Sequence, residues 1–108
     1  MVEYSDNFLK EAKKLSKKFK LLKNDLKIAL QEVQDENLLG TALGYDLYKK
    51  RVKNSSIPTG KSGGFRIIIY HKVENEIILI SIYSKTQKES LTDDELRFLV
   101  KLYFSDKS

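Results

Sequence analysis

Phe65-Arg-Ile-Ile-Ile-Tyr70, then His71-Lys-Val-Glu-Asn-Glu76, then Ile77-Ile-Leu-Ile-Ser-Ile-Tyr-Ser84-Lys85, is the stretch that decides the fold. Its two isoleucine-rich runs predict strands over 65–72 and 77–85. Glu74-Asn75 between them predicts a two-residue hairpin turn, because Asn tolerates positive φ. Strand side chains alternate between faces. That turn sets Phe65, Ile67 and Ile69 opposite Ser84, Ile82 and Ile80 on an apolar face that helices should cover. The other face has Arg66 opposite Tyr83, Ile68 opposite Ser81 and Tyr70 opposite Leu79. Lys85 shares it, within diagonal reach of Arg66. A one-residue slip buries Arg66 and Lys85, so the pattern selects this register.

Working backwards, residues 46–53 alternate as a third strand. Lys49, Arg51 and Lys53 take one face; Tyr48, Lys50 and Val52 take the other. Three cations cannot all go beneath helices, since unpaired charge is too costly to bury. They are therefore expected to join Arg66, Lys85 and Tyr83 on a helix-free sheet face. Lys50 is the misfit, expected to snorkel from the core edge. Lysines also protect edge strands from aggregation, which accounts for 49–53 alone but not for Arg66 within an isoleucine run. The loop 54–64, NSSIPTGKSGG, holds the only proline and three of the five glycines. Its Lys61 adds supporting charge, as does Lys72.

Further out, Val2-Glu3-Tyr4 reads as a short strand, and Ser5 or Asp6 as a helix cap. Phe8, Ala12, Leu15, Phe19 and Leu22 form one helical stripe. A lysine run, Lys10 to Lys18, occupies the opposite face and reads as solvated. Asn24 or Asp25 is expected to cap a second helix bearing Leu26, Ala29, Leu30 and Val33, which ends near Asn37. Gly40 and Gly44 mark the connection that follows. Thr92-x-x-Glu95 is a capping box for a short last helix with Leu96, Leu99, Val100 and Tyr103. The expected fold is α+β. A short N-terminal strand and an αα-hairpin pack on one face of a small, mainly antiparallel four-stranded sheet, followed by a short C-terminal helix.

Composition bounds the function. The chain has 108 residues, a net charge of +5 and 41% apolar residues, which predicts a single folded domain over 1–108. Between Asp46 and Glu74 there are seven Lys and Arg and no acid, so this segment outweighs the net charge of the whole chain. Such a field suits nucleic acid or an acidic partner. The sequence has no cysteine and one histidine, His71, so no metal site is legible and no cofactor is expected. His71, a lone histidine near a strand end, reads as structural. No apolar run reaches the ~18 residues of a membrane span. Met1 to Asp6 does not open like a signal peptide, so a cytoplasmic location is expected. GKSGG precedes a strand rather than a helix and is not a phosphate loop. What remains is a cationic surface bearing aromatics. Arg and Lys can neutralise an RNA phosphate while the neighbouring 2′-hydroxyl attacks it. A lysine crowded by cations can act as base, and Tyr83 can stack on a splayed base.

Tyr48-Lys-Lys-Arg-Val-Lys53, Lys61-Ser-Gly-Gly-Phe-Arg66, Ile82-Tyr-Ser-Lys85 and the acidic start of the last helix together resemble the RelE/ParE superfamily of bacterial toxin–antitoxin toxins. The RelE/HigB type is the most similar branch. The resemblance implies an mRNA endonuclease that works in the A site of the 70S ribosome, without metal, and is neutralised by a cognate antitoxin. It implies catalytic roles for Lys49, Arg51, Arg66 and Lys85, and RNA binding by Lys50, Lys53, Lys61 and Tyr83. The RelE branch carries a functional tyrosine just beyond the last strand, where this sequence has Leu91. A ParE-like inhibitor of DNA gyrase without nuclease activity, and an inactive antitoxin-binding relative, are the alternatives.

Overall fold

The computed structural model describes residues 1–58, 64–88 and 90–107. In chain order they form β1 (Val2–Tyr4), α1 (Asp6–Lys18), α2 (Leu22–Glu32), a 3-10 turn (Glu36–Leu38), β2 (Thr41–Gly44), β3 (Leu47–Val52), β4 (Phe65–Tyr70), β5 (Ile77–Ser84) and α3 (Asp93–Lys107). The strands make one sheet in the order β1-β5-β4-β3-β2. β1 runs parallel to β5, and the other pairs are antiparallel. The sheet thus has five strands rather than the expected four.

The added strand is β2, within the segment read as a connection. It pairs Thr41 with Lys49 and Ala42 with Tyr48. Its hairpin tip is Tyr45-Asp46, with φ of 56° and 63°. Two positive φ angles are what a two-residue hairpin demands, usually from Asn-Gly. Tyr-Asp carries no such signal, which hid the hairpin. The Tyr45 ring lies 5.9 Å from the Arg97 guanidinium of α3.

The central hairpin keeps the expected register for four rows, Phe65 with Ser84 through Ile68 with Ser81. A bulge then shifts it, so Ile69 faces Leu79 and Tyr70 faces Ile78. Ile80 therefore leaves the first core, and Leu79 takes its place beside Ile67, Ile69 and Ile82. The connection is also longer than two residues: β4 stops at Tyr70 and β5 starts at Ile77. Asn75 does take positive φ, at 65°. His71 Nδ1 lies 2.9 Å from the Glu76 carbonyl oxygen and helps close this loop.

Helix α1 holds the bulge in place. β1 ends where Tyr4 pairs with Leu79, leaving the edge of β5 open beyond it. Ser5 Oγ donates to the Ile80 carbonyl at 2.8 Å while accepting from Phe8 N–H at 2.9 Å, so Ser5 is also the helix cap. Asn7 Nδ2 donates to the same carbonyl at 3.1 Å. Glu11 Oε1 accepts from Ser81 Oγ at 2.8 Å and Ile82 N–H at 3.2 Å. Polar side chains thus replace the missing strand as partners of backbone groups that burial would otherwise orphan. Glu11→Leu should cost about 1–3 kcal/mol, because it strands buried donors. Its urea midpoint is the check.

The stripe from Phe8 to Leu22 is not one helix. α1 ends at Lys18, Phe19 is extended, and Leu22 opens α2. Nor does Asn24 or Asp25 cap α2. The cap position is Leu21, whose N–H donates to Ser56 Oγ of the β3–β4 loop at 3.0 Å.

Both sheet faces are covered, which corrects the expectation of a helix-free face. α1 and α2 seal the first around Phe65, Ile67, Ile69 and Leu79. α3 brings Leu96 and Tyr103 onto Leu47, Ile68, Ile78, Ile80 and Tyr83 on the second. Isoleucines on both faces of β4 and β5 require this, since each apolar face must be removed from water. α3 has 15 residues and is not short. Its capping box forms as expected: Thr92 N–H donates to Glu95 Oε1 at 2.9 Å, and Glu95 N–H to Thr92 Oγ1 at 3.1 Å. The Thr92 backbone N–H is the main cause holding the Glu95 carboxyl below its usual range. That contribution is present at neutral pH and is lost as pH falls through the lowered value. At the far end Tyr103 OH donates to Glu3 Oε2 at 2.6 Å, tying α3 to β1. Burial first, and this bond second, push the phenol above its ordinary range, so it stays protonated as the donor.

Candidate nucleic-acid interface

The second face is divided. Its apolar end lies beneath α3; its cationic end is built where β3, β4 and β5 run on. β3 places Lys49 opposite Ile68 and Arg51 opposite Arg66, and β5 places Tyr83 on the other side of Arg66. One row further, Lys85 N–H donates to the Gly64 carbonyl at 3.1 Å, so the ladder continues and Lys85 falls on the face of Tyr83. Lys53 follows β3 with the alternation of Lys49 and Arg51 and is exposed. Neighbouring strands lie roughly 4.8 Å apart. Five cations thus gather over three strands, as the alternation predicted.

Burial separates their roles. Arg51 and Lys53 are exposed, and Lys49 and Lys85 are half-buried. Arg66 is only 4% exposed, and its Nη1 donates to the Phe65 carbonyl at 3.2 Å. A guanidinium stays charged, so a fixed positive charge sits at the floor of the patch. Arg51 directly opposes it. Side by side on neighbouring strands, the two guanidiniums offer a set of N–H donors to an anion laid over both.

Three expected members stand apart. Lys50 points to the helix side and is 6% exposed. Its Nζ lies 3.1 Å from Glu32 Oε1 and donates to the Leu38 carbonyl at 2.9 Å. Its charge is thus spent on tying β3 to the end of α2 and the 3-10 turn. Tyr83 lies on the expected face but is 1% exposed, packed in the second core. A stacking role needs an open ring, and α3 removes that opening. Lys61 lies outside the described residues. Leu91 packs half-buried against the same core.

Other contributors were not foreseen. Lys88 Nζ lies 5.8 Å from the Tyr83 ring centroid, and its charge is felt by the Glu95 carboxyl at the start of α3. The buried Asp25 accepts from Ser55 N–H at 2.9 Å and Ser55 Oγ at 2.6 Å. Asn54, also buried, accepts from Ser56 N–H at 2.9 Å through Oδ1. Together with the Leu21–Ser56 bond, these clamp the chain leaving Lys53 onto α2. At the loop's other end a Cβ on Gly64 would lie 2.0 Å from the Val52 carbonyl oxygen. Only glycine allows that approach. Asn54-Ser55-Ser56 is a side-chain turn signal, but nothing in it names Asp25 as the partner. Asp25→Ala should lower stability by about 1–3 kcal/mol, since it leaves Ser55 donors unpaired. Guanidinium unfolding is the measurement.

Beside the patch, a cleft of about 240 Å³ between α2 and β3 is lined by Asp25, Glu32, Arg51 and Lys53 among others. Among the described residues no group of His, Asp and Glu is placed to hold a metal ion. No helix among them is long and apolar enough to cross a membrane. The arrangement suits a polyanion lying across the strands, held by charge and by the fork geometry of arginine.

Comparison with known proteins adds one match. Residues 8–105 match the family model described as the RelE toxin of the RelE / RelB toxin-antitoxin system. No curated protein matches the chain.

Proposed function

The chain belongs to the RelE toxin family, the toxin half of a toxin–antitoxin pair, and on that footing we propose that it is an endoribonuclease that cuts mRNA on the ribosome. The observation that carries this is the facing pair Arg51 and Arg66 at the centre of the cationic end of the sheet. Two guanidiniums on facing positions of neighbouring strands match the forked donor geometry that a phosphate accepts. In the proposed reaction an RNA 2′-oxygen attacks the adjacent phosphorus. The bond from phosphorus to the 5′-oxygen breaks, giving a cyclic phosphate and a 5′-hydroxyl. Arg66 and Arg51 hold the phosphate oxygens as charge builds in the transition state. Lys49 and Lys85, on either side of that row, are the candidates to take the 2′ proton and return one to the leaving oxygen. Lys53 adds affinity that salt should weaken.

The test is translation in vitro with primer extension on the mRNA. Cuts confined to translated codons, and absent from the same RNA without ribosomes, are expected. Intact mRNA with normal translation overturns the reading. If expressing cells also show a DNA-damage response, gyrase becomes the target to pursue.

A further inference from the structure

Asn54 is 1% exposed, and its Nδ2 has no hydrogen-bond partner among the described residues. Its Oδ1 is already taken by Ser56 N–H. A buried amide donor left unpaired is costly, so its position calls for a reason. Asn54 lines a hollow of about 240 Å³ with Lys18, Phe19, Ile57, Ser84 and Thr86. The hollow lies at the end of the sheet, on the side of α1 and α2. Val52 and Phe65 belong to the first core; Asn54 follows Val52 in alternation, and Ser84 pairs with Phe65. Lys53 and Lys85 of the cationic face are the chain neighbours of Asn54 and Ser84. A strand rises roughly 3.3 Å per residue, so an RNA chain leaving the patch reaches the hollow by turning round the end of the sheet.

We propose that this hollow receives a nucleobase of the RNA beside the cut, and that it selects a base with a ring carbonyl, guanine or uracil. Asn54 Nδ2 can only donate. Ser84 Oγ and Thr86 Oγ1 lie 2.9 Å apart, and whichever of them accepts keeps its own proton for a ligand. Guanine O6 and N7 and uracil O4 accept such bonds, whereas adenine N6 and cytosine N4 set donor against donor. Phe19 and Ile57, both packed on the first core, supply apolar walls that suit a ring better than a bare phosphate. Lys18 is exposed, with its Nζ 5.4 Å from the Phe19 ring centroid, and offers a cation to the phosphate that follows the base. The place beside the cut rests on the nuclease reading; the choice of base rests on the donors alone.

The experiment follows the Asn54 side-chain amide signals of the parent protein by NMR. UMP, GMP, AMP and CMP are added in turn, with inorganic phosphate as the control. UMP and GMP should shift these signals with a Kd about fivefold or more below that of AMP and CMP, the worth of one hydrogen bond. Asn54→Asp, checked by thermal melting, keeps an oxygen for Ser56 N–H but replaces the donor with an acceptor. It should reverse the order of the bases, read on the Ser84 backbone amide. No shift with any nucleotide assigns the hollow to water and overturns the proposal. So do equal shifts from all four nucleotides, or the same shift from phosphate alone, which mark a simple anion site. A chain that cuts no mRNA yet discriminates the bases leaves the hollow's assignment standing while the nuclease reading fails. One that cuts mRNA without discriminating them keeps the nuclease reading and overturns this one.

Discussion

Arg66→Gln should reduce ribosome-dependent mRNA cleavage at least a hundredfold while the protein stays folded. Removing one preorganised charge stabiliser from a transition state costs about 2.7–4 kcal/mol, or roughly 10²–10³ in rate. Arg66 is the charge held most firmly, because its stem is buried between the Arg51 and Tyr83 strands. The stability change should be small by comparison. The substitution loses the Phe65 carbonyl bond, which the Gln amide, itself a donor, can in part replace. Gln keeps much of the stem's packing, which Ala would not. Arg66→Lys should fall between, since it keeps the charge but not the fork. The measurement is single-turnover cleavage on programmed ribosomes beside a denaturant curve. Cleavage within threefold of the parent sinks the role given to Arg66. A loss of activity that only tracks a loss of fold removes its support.

The second large effect concerns stability. Gly40→Ala should destabilise the fold by about 3 kcal/mol or more, through overpacking added to backbone strain. Gly40 has φ +98°, and a Cβ there would lie 2.2 Å from the Lys49 carbonyl oxygen and 2.8 Å from Lys50 Cα. Neither contact is with a side chain that can swing away. The chain enters β2 at this point, so relieving the clash pulls Thr41 from Lys49 and loosens the strand that carries the patch. Gly44 supplies the control. Its φ is +88°, but nothing lies within 4 Å of its added Cβ. Gly44→Ala should therefore cost about 1–2 kcal/mol, the strain alone. Equal losses in the two variants would show that the close approach at Gly40 has no weight.

The parts that could be read beforehand share a physical basis. The alternation in 65–70 and 77–84 is long and strongly apolar, so the faces of 65–70 and 81–84 and the first four rows of the register followed from the residues, while the bulge exchanged the faces of Leu79 and Ile80. The cations of 49–53 could be placed because burying three charges was prohibitive. The capping box at Thr92 and the cap at Ser5 are local, set by side chains within three residues of their partners. What escaped depended on distant residues. β2 exists because β3 offers it an edge; Thr-Ala-Leu-Gly has little strand signal of its own. Asp25 sits where a helix cap was expected, yet its partner is Ser55, thirty residues away. Glu11 anchors a bulge in β5 through Ser81 and Ile82, seventy residues away, and nothing near it in the chain signals that role.

From its residues alone, then, this chain determined an α+β fold with a cationic sheet face and the identity of the five cations on it. Short-range periodicity and the cost of burying charge suffice for that. Only the tertiary structure decided how that face is shared. Ile68, Ile78 and Ile80 required cover, α3 supplied it, and Tyr83 went under with them. Lys50 was drawn to Glu32 on the opposite side. Arg66 came to lie nearly buried opposite Arg51, because that pairing depends on where two strands meet and on nothing local to either.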